Sequence, residues 1–507
     1  MPAANQAMPP FRRHPHLYEI NTWAWLEDLS AREDRPITLG SVPDEEWDHL
    51  KTPGFDFVWL MGVWKRSIRG RRIMRTDPAY FTSYDEALPG WSISDVVGSP
   101  YSIQAYTPDP RIGSWKDLDA ARNKLNARGM RLILDFVPNH TGLDHPWITA
   151  HPEYYIQGKL EDFRREPPAY FLSEGAGEGE RPAVFIARGK DPYYPAWPDT
   201  AQLNYFHPAV GEAMLGVLRT IAAHADGVRC DMAMLVLNDV FAQTWGKHLG
   251  GLAPPRDEFW PAAVAALPGF VWMGEVYWDM EWRLQQLGLN FTYDKRLYDR
   301  LRCASPQAVR GHLSADLAYQ SRLVRFLENH DEPRSAAVFG AQKLPAVATL
   351  VATLPGMRFY YQGQLEGQKI HLPIPLDHAA RGSHDPANPE IQALYARLLA
   401  ITREDAFHAG DWRLLEVRPA GDSTFENLIA YQWRHGGTLK VIAVNLGSAA
   451  SAGNLVLDSL IETSGRIVFQ DQLNAKSYEW QGKDLARSGL YVRLEAFRSH
   501  VFDVAPQ

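Results

Sequence analysis

Only two cysteines, Cys230 and Cys303, occur in 507 residues. That is too few for a disulfide framework, and neither lies in a CxxC pair or a Cys/His cluster of zinc spacing. A basic excess is missing too, since 52 Lys and Arg against 60 Asp and Glu give a net charge of -8. A nucleic-acid-binding surface shows as a basic face or stripe, so no nucleic acid is expected as a partner. No run of 18 apolar residues exists, which argues against a membrane span. The opening MPAANQAMPPFRRHPH has basic residues but no apolar core, so no secretory signal is evident. The expectation is a soluble, cytoplasmic protein. Repeats and low-complexity tracts are also missing, and nothing in the pattern fixes an oligomeric state.

What is present is a large apolar fraction, 45%, enough to bury a sizeable core. Aromatics are plentiful, with 17 Trp and 21 Tyr, and flat aromatic faces suit sugar rings as well as cores. Short β-rich runs alternate with longer amphipathic stretches over residues 16–400. The runs are Leu17–Ala24, Phe55–Met61, Met130–Val137, Gly227–Met232, Phe270–Glu275, Leu289–Tyr293, Leu323–Leu327 and Met357–Tyr361. Eight such runs with intervening helices predict an α/β fold, a (β/α)8 barrel rather than an open doubly wound sheet. Between them, Ser114 and Asp117 form a capping box ahead of Leu118, Ala121 and Leu125, and Gly129 ends that helix. Pro208 opens another, with Val210, Met214, Val217 and Ile221 on one face.

Two regions break the rhythm. Residues 141–200 are long, irregular and rich in Pro, Gly and aromatics, and a loop of that length is usually functional. After residue 408 the pattern turns to alternating strands joined by a His435-Gly436-Gly437 turn, predicting a separate antiparallel β-sandwich over 408–507. The barrel is thus expected from 1–140 and 201–407, with 141–200 inserted after the third strand.

In a barrel of this kind, reactive groups come from the C-terminal ends of several strands. Those ends carry charges where a strand normally stays apolar. The third gives Asp135-Phe-Val-Pro-Asn139-His140, the fourth Gly227-Val-Arg229-Cys230-Asp231, the fifth Trp272-Met-Gly-Glu275, and the seventh Glu328-Asn329-His330-Asp331. One alone is an ordinary polar strand end. Four in order, each on a different strand, point to one site. Side chains two apart on a strand share a face, so Arg229 and Asp231 point into the barrel mouth while Cys230 turns into the core.

These four segments resemble the four short sequence regions of the α-amylase family, glycoside hydrolase family 13, and Gln202-Leu203-Asn204 resembles an additional region of that family. The resemblance covers nearly the whole chain, including a protruding domain B and a C-terminal β-domain. It implies a retaining glycosidase acting on α-linked gluco-oligosaccharides, with Asp231 as nucleophile, Glu275 as general acid and base, and Asp331 as the carboxylate that holds sugar hydroxyls. It places Tyr101 beneath the sugar at the cleavage point, His140 and His330 on its hydroxyls, and Arg229 beside Asp231. Asp135 reads equally as a substrate contact or as an internal partner of Arg229. No cofactor is required, but Asn139 matches a position that often binds calcium, so a structural calcium ion stays open. Trp64, Lys65 and Arg66 line the cleft or a solvated loop, and Asp199 reads as a cleft-wall or turn residue.

Departures from the family patterns bear on substrate. Many starch-degrading members carry Lys-His where Met234 and Leu235 stand, and exo-acting glucosidases carry Asp where Ser102 follows the platform tyrosine. The segments Asn329–Arg334, His145-Pro146-Trp147 and His151-Pro152-Glu153 are closer to members that act on short glucosides or transfer glucosyl units. Short α-glucans are expected, with hydrolysis and transfer (glucanotransferase or trehalose-forming chemistry) both open. A catalytically inactive amylase-like binding protein is the remote rival, which retention of all three carboxylates disfavours.

Overall fold

The computed structural model describes residues 11–173, 183–380, 384–457 and 465–506. Apolar runs with branched and aromatic residues form eight short parallel strands: β1 His16–Asn21, β2 Phe57–Met61, β3 Arg131–Phe136, β4 Gly227–Cys230, β5 Val271–Gly274, β6 Phe291–Tyr293, β7 Leu323–Arg325 and β8 Met357–Tyr361. Each pairs with the next and β8 returns to β1, closing a barrel. The strands are buried along their length, as expected when helices cover the outside and side chains fill the inside. Register sets up the site, because Arg229 on β4 lies opposite Asp135 on β3 and Met273 on β5.

The run Leu17–Ala24 is not one strand. β1 stops at Asn21, whose side chain accepts from the Ala24 amide and caps helix α1, Thr22–Arg32. Apolar residues continue across this junction, so hydropathy alone hides it. Helix α2, Trp115–Ala127, has the expected Ser114/Asp117 capping box and buries Leu118, Ala121 and Leu125. Gly129 follows at φ 71°, a left-handed stop that a side chain would resist. Helix α3, Pro208–His224, starts with proline in its first turn and buries Val210, Met214 and Ile221.

Residues 141–200 hold more structure than an irregular loop. Gln157–Gly158, Tyr170–Leu172 and Phe185–Ala187 form a small antiparallel sheet, and His140–Gly142 pairs with Thr200–Gln202. Strands of two or three residues are too short for alternation to show in the sequence. The second pair ties the two ends of the excursion together at the barrel rim.

Beyond residue 408, one sheet has the order Asp411–Leu414, Leu428–His435, Thr438–Asn445, Ser499–Pro506, Arg466–Asp471, Lys476–Gln481, and a second consists of Val417–Pro419, Ser451–Leu455 and Leu490–Leu494. Leu428, Val441, Phe469, Val492 and Phe502 fill the core between them. The large sheet's other face, with Tyr431, Trp433, Ile442 and Val444, joins the barrel's core. It meets helix α4, Ser335–Thr353, where the Trp433 indole donates to the Thr353 carbonyl at 2.8 Å and the Tyr431 hydroxyl lies 2.6 Å from Thr353 Oγ1. Helix α4 is long and apolar enough to cross a membrane, yet 61% of its apolar window is buried within the protein, and it is kinked at Gly340. Its apolarity is spent on an internal interface.

Candidate active site

Two of the three acids are the first residues past their strands. The Asp231 amide still donates to the Phe136 carbonyl, and the Glu275 amide to Cys230, both at 2.9 Å, so the sheet ladder carries both residues into the mouth of the barrel. Asp331 stands on a turn after β7, fixed by Asn329 Oδ1, which accepts from the amides of Asp331 and Glu332 at 2.9 and 2.8 Å. Arg229 joins the first two. Its Nη1 donates to Asp231 Oδ1 at 2.6 Å and its Nη2 to Glu275 Oε2 at 2.7 Å. The guanidinium is wholly buried beside the rings of Trp59, Tyr101 and Tyr293. The sequence pairs Arg229 with Asp231; the structure has it bridging Asp231 and Glu275.

The rest of the cluster is assembled by His330. Its Nδ1 lies 2.6 Å from Glu19 Oε1, and its Nε2 lies 2.6 Å from the Tyr101 hydroxyl and 3.1 Å from Asp331 Oδ2. The Tyr101 and His330 rings stack with centroids 5.3 Å apart. Tyr101, Arg229, Asp231, Glu275, His330 and Asp331 are therefore linked by direct contacts at one rim. His140 lies against Trp197, with ring centroids 5.3 Å apart. Its Nε2 makes no hydrogen bond among the described residues. Burial pushes its pKa down to about 3, with only the Tyr101 carbonyl pulling the other way, which favours a neutral imidazole next to Tyr101.

The acids differ in surroundings. Burial raises the pKa of both Asp231 and Glu275, and the shared Arg229 opposes it. Two carboxyls facing one guanidinium titrate as a pair, and one positive charge favours one ionised member. For Asp331, crowding by protein also pushes upward, but His330 pulls harder and holds it down at about 2. Its side chain is 47% exposed, the open member of the trio. His330 is buried, which disfavours its charge, yet Asp331 and Glu19 on either side raise its pKa well above the usual value. The acids on both sides thus favour its protonated form, while burial raises the pKa of Glu19 itself.

Other expected residues fall out differently. Asp135 makes no ion pair with Arg229 despite the register. Its Oδ1 accepts from the Trp59 indole at 3.0 Å and its Oδ2 from the Gly62 amide at 2.7 Å, and burial raises its pKa to about 6. Asn139 does not fit a calcium site. Its Oδ1 accepts from Gln202 Nε2 at 2.9 Å, its Nδ2 donates to Gln202 Oε1 at 3.2 Å, and its carbonyl takes Gln202 Nε2 and the Leu203 amide. Calcium wants six to eight oxygens, carboxylates prominent among them, and here an amide–amide pair occupies the position. Trp64 and Arg66 are not in a solvated loop but buried, Trp64 donating to the Asp135 carbonyl and Arg66 to that of Gly98. Met234 and Leu235 are buried in a turn, and Ser102 donates to the carbonyl of Asp199, itself buried.

Sequence reading missed Glu19, Tyr277 and Tyr293. Tyr277 donates to Glu275 Oε1 at 2.7 Å, and Tyr293 lies 3.4 Å from Arg229 Nε. Glu19 had a signal, an acid inside the otherwise apolar run of β1. The tyrosines had none, since aromatics in and after strands are common.

A closed parallel barrel with carboxylates converging on its C-terminal mouth, joined through one buried arginine, defines a class of carbohydrate-handling barrel. Residues 45–370 match the family model described as the alpha-amylase catalytic domain, and the chain belongs to the alpha-amylase family. It is 23% identical over 454 residues to Alpha-amylase MalA of Haloarcula japonica, covering 84% of this chain and 56% of that protein. It is 32% identical over 212 residues to an alpha-glucosidase of Apis mellifera, covering 39% of this chain and 31% of that one. The chain thus spans about half the length of the first relative and less of the second. A crystal structure of a noncanonic maltogenic alpha-amylase, AmyB from Thermotoga neapolitana, superposes with TM-score 0.67 at 19% identity over 97% of this chain and 98% of that one. At that identity the likeness is one of fold.

Proposed function

We propose that the protein is a retaining glycosidase that cleaves α-glucosidic bonds of short α-glucans through a covalent glycosyl-enzyme. The observation that carries this reading is the Arg229 guanidinium bonded at once to Asp231 and Glu275. It supports one ionised and one protonated carboxyl side by side, the state a double displacement needs. Asp231, in line with β4 and paired to the arginine, attacks the anomeric carbon as the glycosidic C–O bond breaks. Glu275 delivers its proton to the departing oxygen, then takes one from the water or sugar hydroxyl that displaces Asp231. Asp331 accepts from hydroxyls of the bound ring, and Tyr101 lies beneath it.

The test is a product profile on maltose, maltotriose, trehalose, sucrose, isomaltose and starch, run on the parent and on Asp231→Asn. The parent is expected to release glucose or rearranged products from a short α-glucan, and Asp231→Asn to fold normally with activity lower by several orders of magnitude, on the order of 10⁴-fold. Turnover by Asp231→Asn near the parent rate overturns the nucleophile assignment. Longer or rearranged products from maltotriose, in place of glucose, mark transfer as the main outcome.

A further inference from the structure

A carboxylate offers about four lone-pair directions, two on each oxygen, and a protonated one spends one of them on its own hydrogen. In Glu275 both directions of Oε2 are taken, by Arg229 Nη2 at 2.7 Å and by the Met232 amide at 2.8 Å. Both partners are N–H donors, so a proton on Oε2 would break one of these bonds. The proton of a neutral Glu275 therefore belongs on Oε1. Among the described residues only the Tyr277 hydroxyl bonds to that oxygen, at 2.7 Å. The other direction of Oε1 is left for the proton that is to be transferred.

The backbone is bent on both sides of the carboxyl to make these contacts. Met232 is left-handed at φ 41°, ψ 51°. Its amide meets Oε2, and the next amide, of Ala233, donates to the Glu275 carbonyl at 2.9 Å. Beyond Tyr277, Trp278 and Asp279 are both left-handed, φ 64° and 61°. Residues with a Cβ resist that region, and such strain gathers at functional sites. The second bend is held by the ion pair of Asp279 with Arg296 and by the Trp278 ring packed edge to face on Tyr193. Strain is thus spent at both places where the chain brings a donor to Glu275.

We propose that Tyr277 is a positioning residue for the acid: it holds Glu275 Oε1, the oxygen that carries the transferable proton, and by donating to it loosens that proton. The inference rests on the reading of Glu275 as general acid and base. Burial, then Glu275 and Asp331, keep the Tyr277 hydroxyl well above its usual pKa, so it gives a hydrogen bond and never the proton itself. In the first step the Oε1–H bond breaks and the proton goes to the glycosidic oxygen. That oxygen keeps the electron pair of the C–O bond as Asp231 bonds to the anomeric carbon. The Glu275 carboxylate left behind has donors in Arg229, Met232 and Tyr277, and its open direction accepts the proton of the incoming water or sugar hydroxyl. A donor to the charged form favours that form, so removing the Tyr277 hydroxyl makes Glu275 a weaker acid.

The test is the pH dependence of a ratio, kcat/KM for maltotriose over kcat/KM for α-glucosyl fluoride. A departing sugar oxygen needs a proton, whereas fluoride, a weak base, leaves with little help. Asp231, Asp331 and His330 serve both substrates, so their titrations divide out and the fall of the ratio with rising pH reads Glu275. The charges facing Glu275 are the same in Tyr277→Phe: Arg229 and Asp231 from β4, Asp331 from the turn after β7, and Tyr293 of β6 beside the arginine. In that variant the midpoint of the fall is expected to move up by about one pH unit, and the ratio below it to drop about three-fold or more. A midpoint within about 0.3 of the parent's overturns the role even where both kcat/KM values drop, since damage to structure lowers both together. Glu275→Gln should show no such fall. A fall that survives there, or a parent that turns over neither compound, strikes the proposed function instead, which keeps the two failures apart.

Discussion

Replacing Glu19 with Gln removes a charge and leaves an oxygen in reach of His330. In the parent, Glu19 Oε1 lies 2.6 Å from His330 Nδ1 inside the barrel, with both side chains fully buried. Charges centred about 4 Å apart at an effective dielectric of about 20 interact by about 4 kcal/mol. Burial of the carboxylate offsets part of that, and a net fall of one to two pK units in His330, about 1.4–2.7 kcal/mol, is expected. The sign follows from the charge removed: without Glu19 the imidazolium is less favoured, so it loses its proton at a lower pH. Asp331 still favours the proton from the other side, the buried Arg229 opposes it, the carboxyl of Asp135 adds a weaker pull, and Tyr101 only hydrogen-bonds. Once neutral, His330 keeps Nδ1–H on the new amide oxygen and turns a bare Nε2 lone pair towards Asp331. The carboxylate then loses its fixed partner. The assay is kcat and kcat/KM for a short α-glucan from about pH 4 to about pH 9, where the basic limb of the variant should move acidward by about one unit and kcat fall about ten-fold. A basic limb unmoved, with kcat within about two-fold of the parent, refutes the idea that Glu19 acts through the charge of His330.

Arg229→Lys places one compact ammonium where two nitrogens now reach Asp231 and Glu275. It should lower kcat by about 100-fold or more and lower Tm, because a buried carboxyl loses its partner; steady-state kinetics and calorimetry check both. Acid stability follows from histidines at the foot of the barrel. Burial lowers the pKa of His14 to about 2 and of His408 to about 3, against 6.5 when free. Between those values the unfolded chain takes up protons that the folded protein refuses, so stability falls as pH drops below about 6.5, by about 1.4 kcal/mol per pH unit for each histidine. His408→Gln should flatten the pH dependence of unfolding free energy by about one proton's worth, and an unchanged slope would count against the account.

How much of this is visible in the chain depends on whether a feature is local. The barrel strands are visible because each is a compact apolar run between helical stretches, and the acids stand out because a charge at the end of such a run is unusual. The end of β1 is not visible, since Asn21 stops the strand by capping α1 while the apolar character runs on. The sheet within 141–200 is hidden by strands of two or three residues. Partnerships across the barrel are least visible. Asp135 and Arg229 sit in register, yet Trp59 and Gly62 claim the carboxylate, while His330 finds Glu19 from the other end of the domain. Alternation gives the face on which a side chain lies; which neighbour it meets there is decided by packing.

Helix α4 begins where the Asp331 turn ends, and Glu328, just upstream of that turn, accepts from the Ser335 amide at 2.6 Å and from Arg334 at 2.8 Å. Its far end is held by Trp433 and Tyr431, which emerge from the ribosome some eighty residues after Thr353. A nascent chain therefore carries all three acids well before the last of the surfaces that cover α4 is made, the helix Pro389–Thr402 and the barrel preceding the sheet. The C-terminal sheet thus supplies the last-made contacts to the helix that leaves the Asp331 turn.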